Sequence, residues 1–440
     1  MSDVDPLKLD RTLRETADAW QYWRAALRSD PSDSGDPFER TRWATGHQTF
    51  SELCELSDDV PIAGRLRAWV YRLAEQRING AHIWQLAVLR RFTAEPSSQL
   101  DGDPLSVAAL MSGLVADEAR RGHYAEALAE RGAPLTLRHI VLWQRRQELA
   151  ERMGLSGPDE VESPSSELCA IAEELLSQSD AIYDGIGIRN LGAFVCHGLG
   201  HNSPAVWPAL ISSRSLSSWF ADTDLFASLS PELENLPAPH APASFLRALY
   251  AVGHAWERAA GPTDQPFVVA RDPYNLRAHQ SGFLFGALPL QASFAKRFLD
   301  VDRSRFEDHR RALSRSVLLH VRSLAMRVLL RQALLSGEKE AAERFLELSN
   351  RAFGDPLLPN LFGVIFRARL EDPQRLAGAL LALAQNATLT EEHNNDWFRN
   401  PTAAEQLRCE NQLPPHVVAD QASLRLGLSE LMTLVEHAAV

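Results

Sequence analysis

The sequence has few cysteines and no segment typical of protein export. Its four cysteines are widely separated and form no Cys-X-X-Cys pair: Cys54, Cys169, Cys196 and Cys409. This spacing excludes a zinc ribbon and a thioredoxin-like redox motif, and it favours a reducing compartment over a disulfide scaffold. The first residues are acidic and lack an apolar run, so we expect no signal peptide. We therefore predict a cytoplasmic location.

Long apolar runs and an excess of positive charge are also missing. No stretch of about 18 uncharged apolar residues occurs, which argues against a membrane span. The chain has 45 Lys and Arg residues against 57 Asp and Glu residues, a net charge of −12. Such a chain would repel the phosphates of a nucleic acid. We predict neither a membrane nor a nucleic-acid partner. The P-loop, dinucleotide-binding and serine-hydrolase signatures are absent as well.

Helical periodicity dominates what is present. Apolar residues make up 45% of the chain, and they recur three and four positions apart in segment after segment. The clearest segments are 62–78, 105–120, 137–153, 167–179, 314–335, 338–353 and 373–387. Alternating β-branched runs are nearly absent, and residues 267–270 form the one short strand candidate. The sequence predicts an all-α (mainly α) fold.

Two irregular stretches suggest where the helical chain divides. Gly, Pro, Ser and acidic residues cluster at 154–166, and a proline-rich stretch covers 228–242. We predict an N-terminal helical lobe over residues 1–155 and a C-terminal helical lobe over residues 156–440. A helical-repeat solenoid stays open as an alternative, although no fixed period aligns.

The most informative motif is a pair of histidines four residues apart, His197 and His201. In His-Glu-X-X-His this spacing puts both imidazoles on one side of a helix, where they bind zinc, and the glutamate acts as general base. Gly198 stands in the position of that glutamate. Asp224 is the best candidate for a third ligand, and Asp222 is an alternative. Each of these residues also has a plainer interpretation, as a packed histidine or a surface acid.

Two other local patterns carry both a chemical and a structural interpretation. His254 and Glu257 are three apart on an expected helix, which suits a metal pair or an acid–base couple, or simply a local hydrogen-bonded pair. The stretch 396–401 holds Trp397 and ends in Asn400 and Pro401. We interpret it as a packed turn, with Asn400 capping a helix that Pro401 opens, rather than as a docking motif.

The chain from about residue 167 resembles the thimet-oligopeptidase and oligoendopeptidase group of metallopeptidases. Residues 197–201 are similar to that group's His-Glu-Phe-Gly-His, except for Gly198. Residues 224–228 stand near the position of its Glu-Phe-Pro-Ser ligand segment. Residues 279–286, which begin with His279, are similar to its Gly-Tyr-Tyr-Ser-Tyr stretch, but phenylalanines replace the tyrosines that assist the transition state.

The resemblance implies a two-lobed, zincin-like helical fold with a central cleft. It implies a metal site of His197, His201 and Asp224, with no catalytic residue retained. Other residues expected in the cleft are Gly198, His254, Glu257 and His279. The resulting prediction is a catalytically impaired metallopeptidase-like protein that binds a peptide or protein partner in this cleft. Two alternatives stay open: an active Zn or Fe enzyme with altered chemistry, and a helical scaffold without a site.

Overall fold

The structure is a computed structural model that describes most of the chain. It covers residues 5–29, 36–56, 62–94, 98–100, 103–187, 213–226, 242–336, 338–355, 357–415 and 419–438. His197, Gly198 and His201 lie outside the described residues, as do Cys196 and the proline-rich stretch at 228–241. The predictions on those residues therefore stay predictions.

Helices make up nearly all of the regular structure in the described ranges. The α-helices are α1 (Pro6–Ser29), α2 (His47–Glu55), α3 (Ala63–Ala94), α4 (Val107–Ala116), α5 (Arg121–Arg152), α6 (Asp159–Glu162), α7 (Leu168–Ile186), α8 (Ser213–Asp222), α9 (Pro242–Ala260), α10 (Phe267–Ala270), α11 (Leu276–Gly286), α12 (Ala292–Phe298), α13 (Arg303–Ser336), α14 (Glu338–Phe353), α15 (Asp372–His393), α16 (Pro401–Gln412) and α17 (Gln421–Glu436). Short 3₁₀ helices cover Glu39–Thr45, Glu118–Arg120, Asp224–Phe226, Leu288–Leu290, Pro359–Gly363 and Trp397–Arg399. Two three-residue strands, β1 (Ser98–Leu100) and β2 (Asp103–Leu105), pair antiparallel.

The mainly α prediction is confirmed, and one local prediction is wrong. Residues 267–270 form a short helix, α10, instead of a strand. Pro266 precedes the helix, and the Asp10 carboxylate of α1 accepts hydrogen bonds from the backbone N–H groups of Phe267 (3.2 Å) and Val268 (2.9 Å). A helix start needs acceptors for its first N–H groups. A residue 257 positions away in sequence supplies them here, which a local pattern could not reveal.

The cap predicted at Asn400 is confirmed. The Asn400 side chain accepts a hydrogen bond from Thr402 N, and Pro401 begins α16. Trp397 and Phe398 before it are fully buried. The aromatic cluster at this point is therefore a packed turn that connects α15 to α16.

The described helices bury three apolar clusters. The largest lies around α13, the longest helix at 34 residues, with α5, α7, α14, α15 and α17 packed about it. A second cluster unites α9, α11, α12 and α16 around Trp219 and Phe285. The third joins α1, α2 and α3 around Trp69. Packing of apolar helix faces on α13 thus organises the part of the chain that contains the site described below.

The segment 154–166 includes a short helix and a buried carboxyl group. Glu162, the last residue of α6, is 1% exposed. Helix α5 before this segment packs against the 3₁₀ helix Pro359–Gly363 and against α13 after it. The division into lobes at residue 155 and the zincin-like architecture stay predictions.

Candidate functional site: an arginine-lined cavity beside a Tyr–His–Glu relay

Close helix crossings bring α9, α11 and α15 together. Gly253 of α9 lies against the backbone carbonyl of Ser281 in α11, where a Cβ atom would overlap it. Gly378 of α15 lies against α11 in the same way, since an added Cβ would stand 2.8 Å from the Cβ of His279. Only glycine permits backbones to approach this closely. The two crossings fix His279 between α9 and α15.

A cavity of about 320 Å³ lies where these helices meet α13 and α17. Its wall is mainly apolar and includes Leu246, Phe283, Leu290, Val317, Leu383 and Leu434. Its polar wall residues are Arg247, Tyr250, Ser316, His320, Ser323 and Arg375. We call this space the central cavity. An apolar wall with a few converging polar groups is the usual form of a small-molecule site.

Three side chains form a relay that ends at the cavity. The hydroxyl of Tyr250 hydrogen-bonds Nδ1 of His279. On the other side of the imidazole, Nε2 lies 3.6 Å from Oε2 of Glu371, an ion-pair distance beyond that of a hydrogen bond. A carboxylate at this position favours the tautomer with the proton on Nε2, which leaves Nδ1 to accept from the Tyr250 hydroxyl. We call Tyr250, His279 and Glu371 the relay.

The electrostatic surroundings keep Glu371 ionised. Burial alone would raise the pKa of Glu371, but His279 and the guanidinium of Arg72 more than offset it and hold the pKa well below its usual range. Nη2 of Arg72 lies 2.6 Å from Oε1 of Glu371, and Asn275 Nδ2 donates to the same oxygen at 3.4 Å. The carboxylate therefore has a fixed orientation towards His279.

Tyr250, His254 and His320 are neutral at neutral pH. Burial raises the pKa of Tyr250 to about 12, although the positive charge of Arg375 offsets part of this effect. Burial lowers the pKa of His254 to about 3, and the positive charge of Arg258 acts in the same direction. Burial and the positive charge of Arg375 likewise lower the pKa of His320 well below its usual range. Both histidines therefore contribute uncharged imidazoles.

Arginines outnumber carboxylates on the side of the cavity formed by α15. Arg327 binds Asp372 through two contacts, Nε at 2.9 Å and Nη2 at 3.2 Å. Arg375 shares the same carboxylate at 3.8 Å, and Arg369 also lies within its electrostatic reach. Arg375 is 17% exposed, and its buried Nε has no hydrogen-bond partner among the described residues. One carboxylate thus serves three guanidinium groups at this wall.

A second buried set of charges lies on the far side of Arg72. It comprises Arg72, Glu75, Arg146, Glu162 and Arg331, and we call it the carboxyl cluster. Arg331 pairs with Glu162 and, at 2.8 Å, with Asp159. Arg72 lies 3.8 Å from Glu75. Burial, and then the nearby Glu162 carboxylate, raise the pKa of Glu75 well above its usual range. These surroundings therefore favour the protonated form of Glu75.

The structure brings together some of the residues singled out in the sequence. His254 and His279 are neighbours, with ring centroids 5.1 Å apart. Glu257 is buried, and the charges that act on its pKa besides burial belong first to Arg271 and Arg277. The pKa of His254 instead depends on groups of the relay. Glu257 and His254 therefore lie in different electrostatic surroundings.

The two aspartates proposed as a third metal ligand lie at the surface. Asp222 pairs with Arg297 at 2.6 Å and with Arg399 at 3.4 Å. Asp224 opens a 3₁₀ helix with its side chain exposed, and its carbonyl accepts from Arg408. Within the described ranges, no three His, Cys, Asp or Glu side chains converge as a metal site would require. The histidine pair of the motif lies outside those ranges, so the metal site stays a prediction.

Sequence reasoning missed Tyr250, Glu371 and Arg375. Tyr250 precedes His254 by four residues, about one helical turn, and this spacing indicates that the two side chains lie on the same face of the helix. Glu371 stands just before Asp372 and Pro373 at the start of α15. Acidic residues and proline are common at helix starts for reasons of capping alone. The pattern therefore gave no reason to assign Glu371 a role at a site.

Comparison with known proteins adds no family. A scan against models of known protein families finds none that matches the chain, and a search of curated proteins finds no match either. None of the described helices is both long and apolar enough to cross a membrane. The metallopeptidase resemblance accordingly stays a prediction, and functional inference rests on the residues of the site.

Proposed function

We propose that this protein binds a small organic anion with an apolar body in the central cavity. The observation that carries the proposal is the excess of guanidinium groups at an otherwise apolar wall. Arg375 lines the cavity directly, and Arg327 and Arg369 stand close enough to act on His320 in the same wall. A buried cation is costly unless an opposite charge compensates it.

The carboxylate already present does not meet this need. Asp372 is 1% exposed and is engaged by both nitrogens of Arg327. Arg375 approaches it only at 3.8 Å. A carboxylate, sulfonate or phosphate in the cavity would supply Arg375 with two acceptor oxygens spaced to match the N–H groups of its guanidinium. The anion therefore completes a charge balance that the described residues leave open.

The remaining wall sets the shape and polarity of the ligand. A volume of about 320 Å³ is at the small end of ligand pockets, which span roughly 300–1,000 Å³. Leu246, Phe283 and Leu383 present hydrocarbon to the ligand. Burial of apolar surface supplies the affinity, and the guanidinium fixes the orientation. One or two rings, or an aliphatic chain, with one anionic group match this wall.

The same chemistry has two sources. One is a free amphipathic acid, and the other is the C-terminal residue of a peptide that ends in an apolar side chain. The second source would agree with the peptide partner predicted from the sequence. Decanoate represents the free acid and acetyl-Ala-Ala-Phe represents the peptide, and each carries one carboxylate and one apolar group. The one that displaces a bound fluorescent anion at the lower concentration identifies the source.

The test uses two fluorescent probes that differ only in charge. 1-Anilinonaphthalene-8-sulfonate has a sulfonate group, and N-phenyl-1-naphthylamine has the same rings without it. We expect the full chain to bind the sulfonate more tightly than the neutral probe. Replacing Arg375→Met removes a charged hydrogen bond worth about 1.5–3 kcal/mol, so the sulfonate affinity falls about tenfold or more. The affinity for the neutral probe stays within about twofold.

Arg311→Met is the matched control. Arg311 lies on α13 and pairs with Asp308 at the surface, with its side chain 34% exposed. Its loss changes the net charge of the protein equally, but it leaves the cavity intact. Equal affinity for both probes, or equal sulfonate affinity in the Arg375→Met and Arg311→Met variants, would overturn the proposal and favour the scaffold alternative.

The metal-dependent alternative has a separate test. If His197 and His201 bind zinc or iron, the purified chain contains about one equivalent of that metal, and the His197→Ala/His201→Ala variant loses it. Elemental analysis of the two proteins gives the answer. Equal metal content in both would remove the metal site from consideration without affecting the central cavity.

A further inference from the structure

We propose that the relay makes the central cavity catalytic, with Tyr250 as the group that removes a proton from a carbon acid bound beside Arg375. The inference rests on the proposed function, because it assumes that the cavity holds a ligand. It assigns a reaction class, proton abstraction with charge developing on an oxygen, to a site that otherwise only binds.

The geometry has the three parts that a hydroxyl base requires. Tyr250 lines the cavity and hydrogen-bonds Nδ1 of His279. His279 is buried, 4% exposed, between α9 and α15, so its ring is held in place by packing. Glu371 lies on the far side of the ring, 3.6 Å from Nε2. Hydroxyl, imidazole and carboxylate in this order form the arrangement that activates a hydroxyl in other enzymes.

The surroundings decide which member of the relay carries charge. Since burial raises the pKa of Tyr250 to about 12, a free phenolate is scarce at neutral pH. Tyr250 must therefore pass its own proton to His279 as it takes one from the ligand. The positive imidazole that results lies against Glu371, which Arg72 and Asn275 hold in place. Glu371 acts through His279 and is a positioning residue.

The step balances without an added reactant. The carbon–hydrogen bond of the ligand breaks, and its proton goes to the Tyr250 oxygen. The phenolic proton moves to Nδ1 of His279. The electron pair of the broken bond passes to an oxygen of the ligand, which becomes anionic facing Arg375. Arg375 stabilises this charge more than that of the starting ligand, which is the condition for catalysis. The relay is restored when Tyr250 gives a proton to the anionic oxygen of the product, or to water, and takes back its own proton from His279.

5-Nitrobenzisoxazole is a probe that isolates this step. Loss of its C3 proton breaks the nitrogen–oxygen bond and forms a nitrile, giving 2-cyano-4-nitrophenolate, whose absorbance reports the rate. The probe is apolar, and its product carries one anionic oxygen, as the wall demands. We expect the full chain to accelerate the reaction with saturation kinetics. Deuterium at C3 should slow it by a primary isotope effect.

The variants show whether the rate acceleration comes from the Tyr250 hydroxyl or from the apolar cavity in general. Tyr250→Phe removes only the hydroxyl, and we expect a rate at least about tenfold lower, at the modest end of general-base contributions. Tyr22→Phe, at a side chain that is 80% exposed, is the matched control and should keep the full rate. Glu371→Gln should lower kcat and leave KM unchanged, since Glu371 acts through His279. Circular dichroism confirms that each variant is folded.

The outcomes also separate this inference from the proposed function. Sulfonate binding that depends on Arg375, together with a probe rate equal to that of buffer or unchanged by Tyr250→Phe, would overturn the catalytic role and leave the binding function intact. Failure of the sulfonate to bind would instead overturn the proposed function. A Tyr250-dependent rate with a primary isotope effect supports the relay. If Tyr250→Phe fails to fold, the KM-against-kcat comparison for Glu371→Gln decides the question.

Discussion

Two buried groups of arginines lie on opposite sides of Glu371, and they differ in how their charge is balanced. The three arginines of the carboxyl cluster, Arg72, Arg146 and Arg331, stand among four acids: Glu75 and Glu162 of the cluster, with Glu371 and Asp159 beside it. At the central cavity, Arg327, Arg369 and Arg375 share the carboxylate of Asp372. Among the described residues, the first group therefore has four acids for three guanidinium groups, and the second has one acid for three.

The difference distinguishes a structural role from a binding role. A buried ion pair whose partners are all protein groups holds elements together, and its loss leaves an uncompensated charge. A buried cation that lacks a full partner destabilises the protein until a ligand provides one. Arg331 is a buried cation with protein partners, and its ion pair links α13 to α6. Arg375 is a buried cation for which we propose a ligand as the partner.

The largest expected effect belongs to the carboxyl cluster. Arg331 is 2% exposed and pairs with Glu162, which is wholly buried. Replacing Arg331→Met leaves Glu162 without its cation and should cost about 3–5 kcal/mol of the free energy of unfolding. Denaturant titration measures it. The control Arg425→Met breaks surface pairs with Glu167 and Glu174 and should cost about 0–1 kcal/mol. Equal losses in the two variants would contradict a structural role for the cluster.

Two neighbouring arginines beside the cavity should differ in how much their replacement lowers the free energy of unfolding, and this effect is smaller. Arg327→Met removes the bidentate partner of the buried Asp372 and should cost about 3 kcal/mol. Arg375→Met removes a cation from among other cations, so we expect a change below about 1 kcal/mol or a gain in stability. Thermal or denaturant unfolding without ligand compares them. A loss at Arg375→Met as large as that at Arg327→Met would show that Arg375 already has its full partner in the protein.

The smallest effect is a change in how stability depends on pH. Glu75 has a raised pKa in the folded protein, caused first by burial and then by Glu162, with Arg72 and Arg146 opposing. The unfolded chain loses this proton near the ordinary glutamate pKa of 4.5, while the folded protein keeps it to a higher pH. The stability contributed by Glu75 is thus full below that pH and is lost as the pH rises towards the folded pKa, by at most about 1.4 kcal/mol per pH unit.

Glu75→Gln tests that sign directly. The amide cannot ionise, so unfolding free energies measured from pH 4.5 upward should fall less steeply than in the unaltered protein. Glu55→Gln, at an exposed position of α2, is a control of the same chemistry. An unchanged slope for Glu75→Gln would mean that Glu75 is ionised in the folded state.

The sequence predicted the helices well and the site only in part. Apolar periodicity reports which face of a helix is buried, and this local property identified α14 with its observed bounds. It identified the start of α7, but the predicted segment 167–179 stops seven residues before the helix ends at Ile186. His254 and His279 were named as cleft residues, and the structure places them side by side. Their partners could not be named, because Glu371 reaches His279 through a helix crossing at Gly378. Such contacts depend on tertiary packing that no spacing within one helix reports.

The charge contrast was also hidden from the sequence. Arginines and two acids mix in the first turns of α13, over residues 303–315, as on an exposed helix face. Further along the same helix, Arg322 and Arg331 are almost completely buried. Burial turns the same residue types from solvated charges into groups that require partners. Which partner each arginine finds depends on helices far apart in sequence, such as α6 for Arg331.

The most direct test of the account is the position of a bound anion. A crystal of the full chain grown with a brominated naphthalenesulfonate would locate the ligand by the anomalous signal of bromine. The account predicts the rings against Leu246 and Phe283, with the sulfonate in hydrogen-bond contact with the guanidinium of Arg375. A ligand bound elsewhere, or one in the cavity with its sulfonate turned away from Arg375, would contradict it.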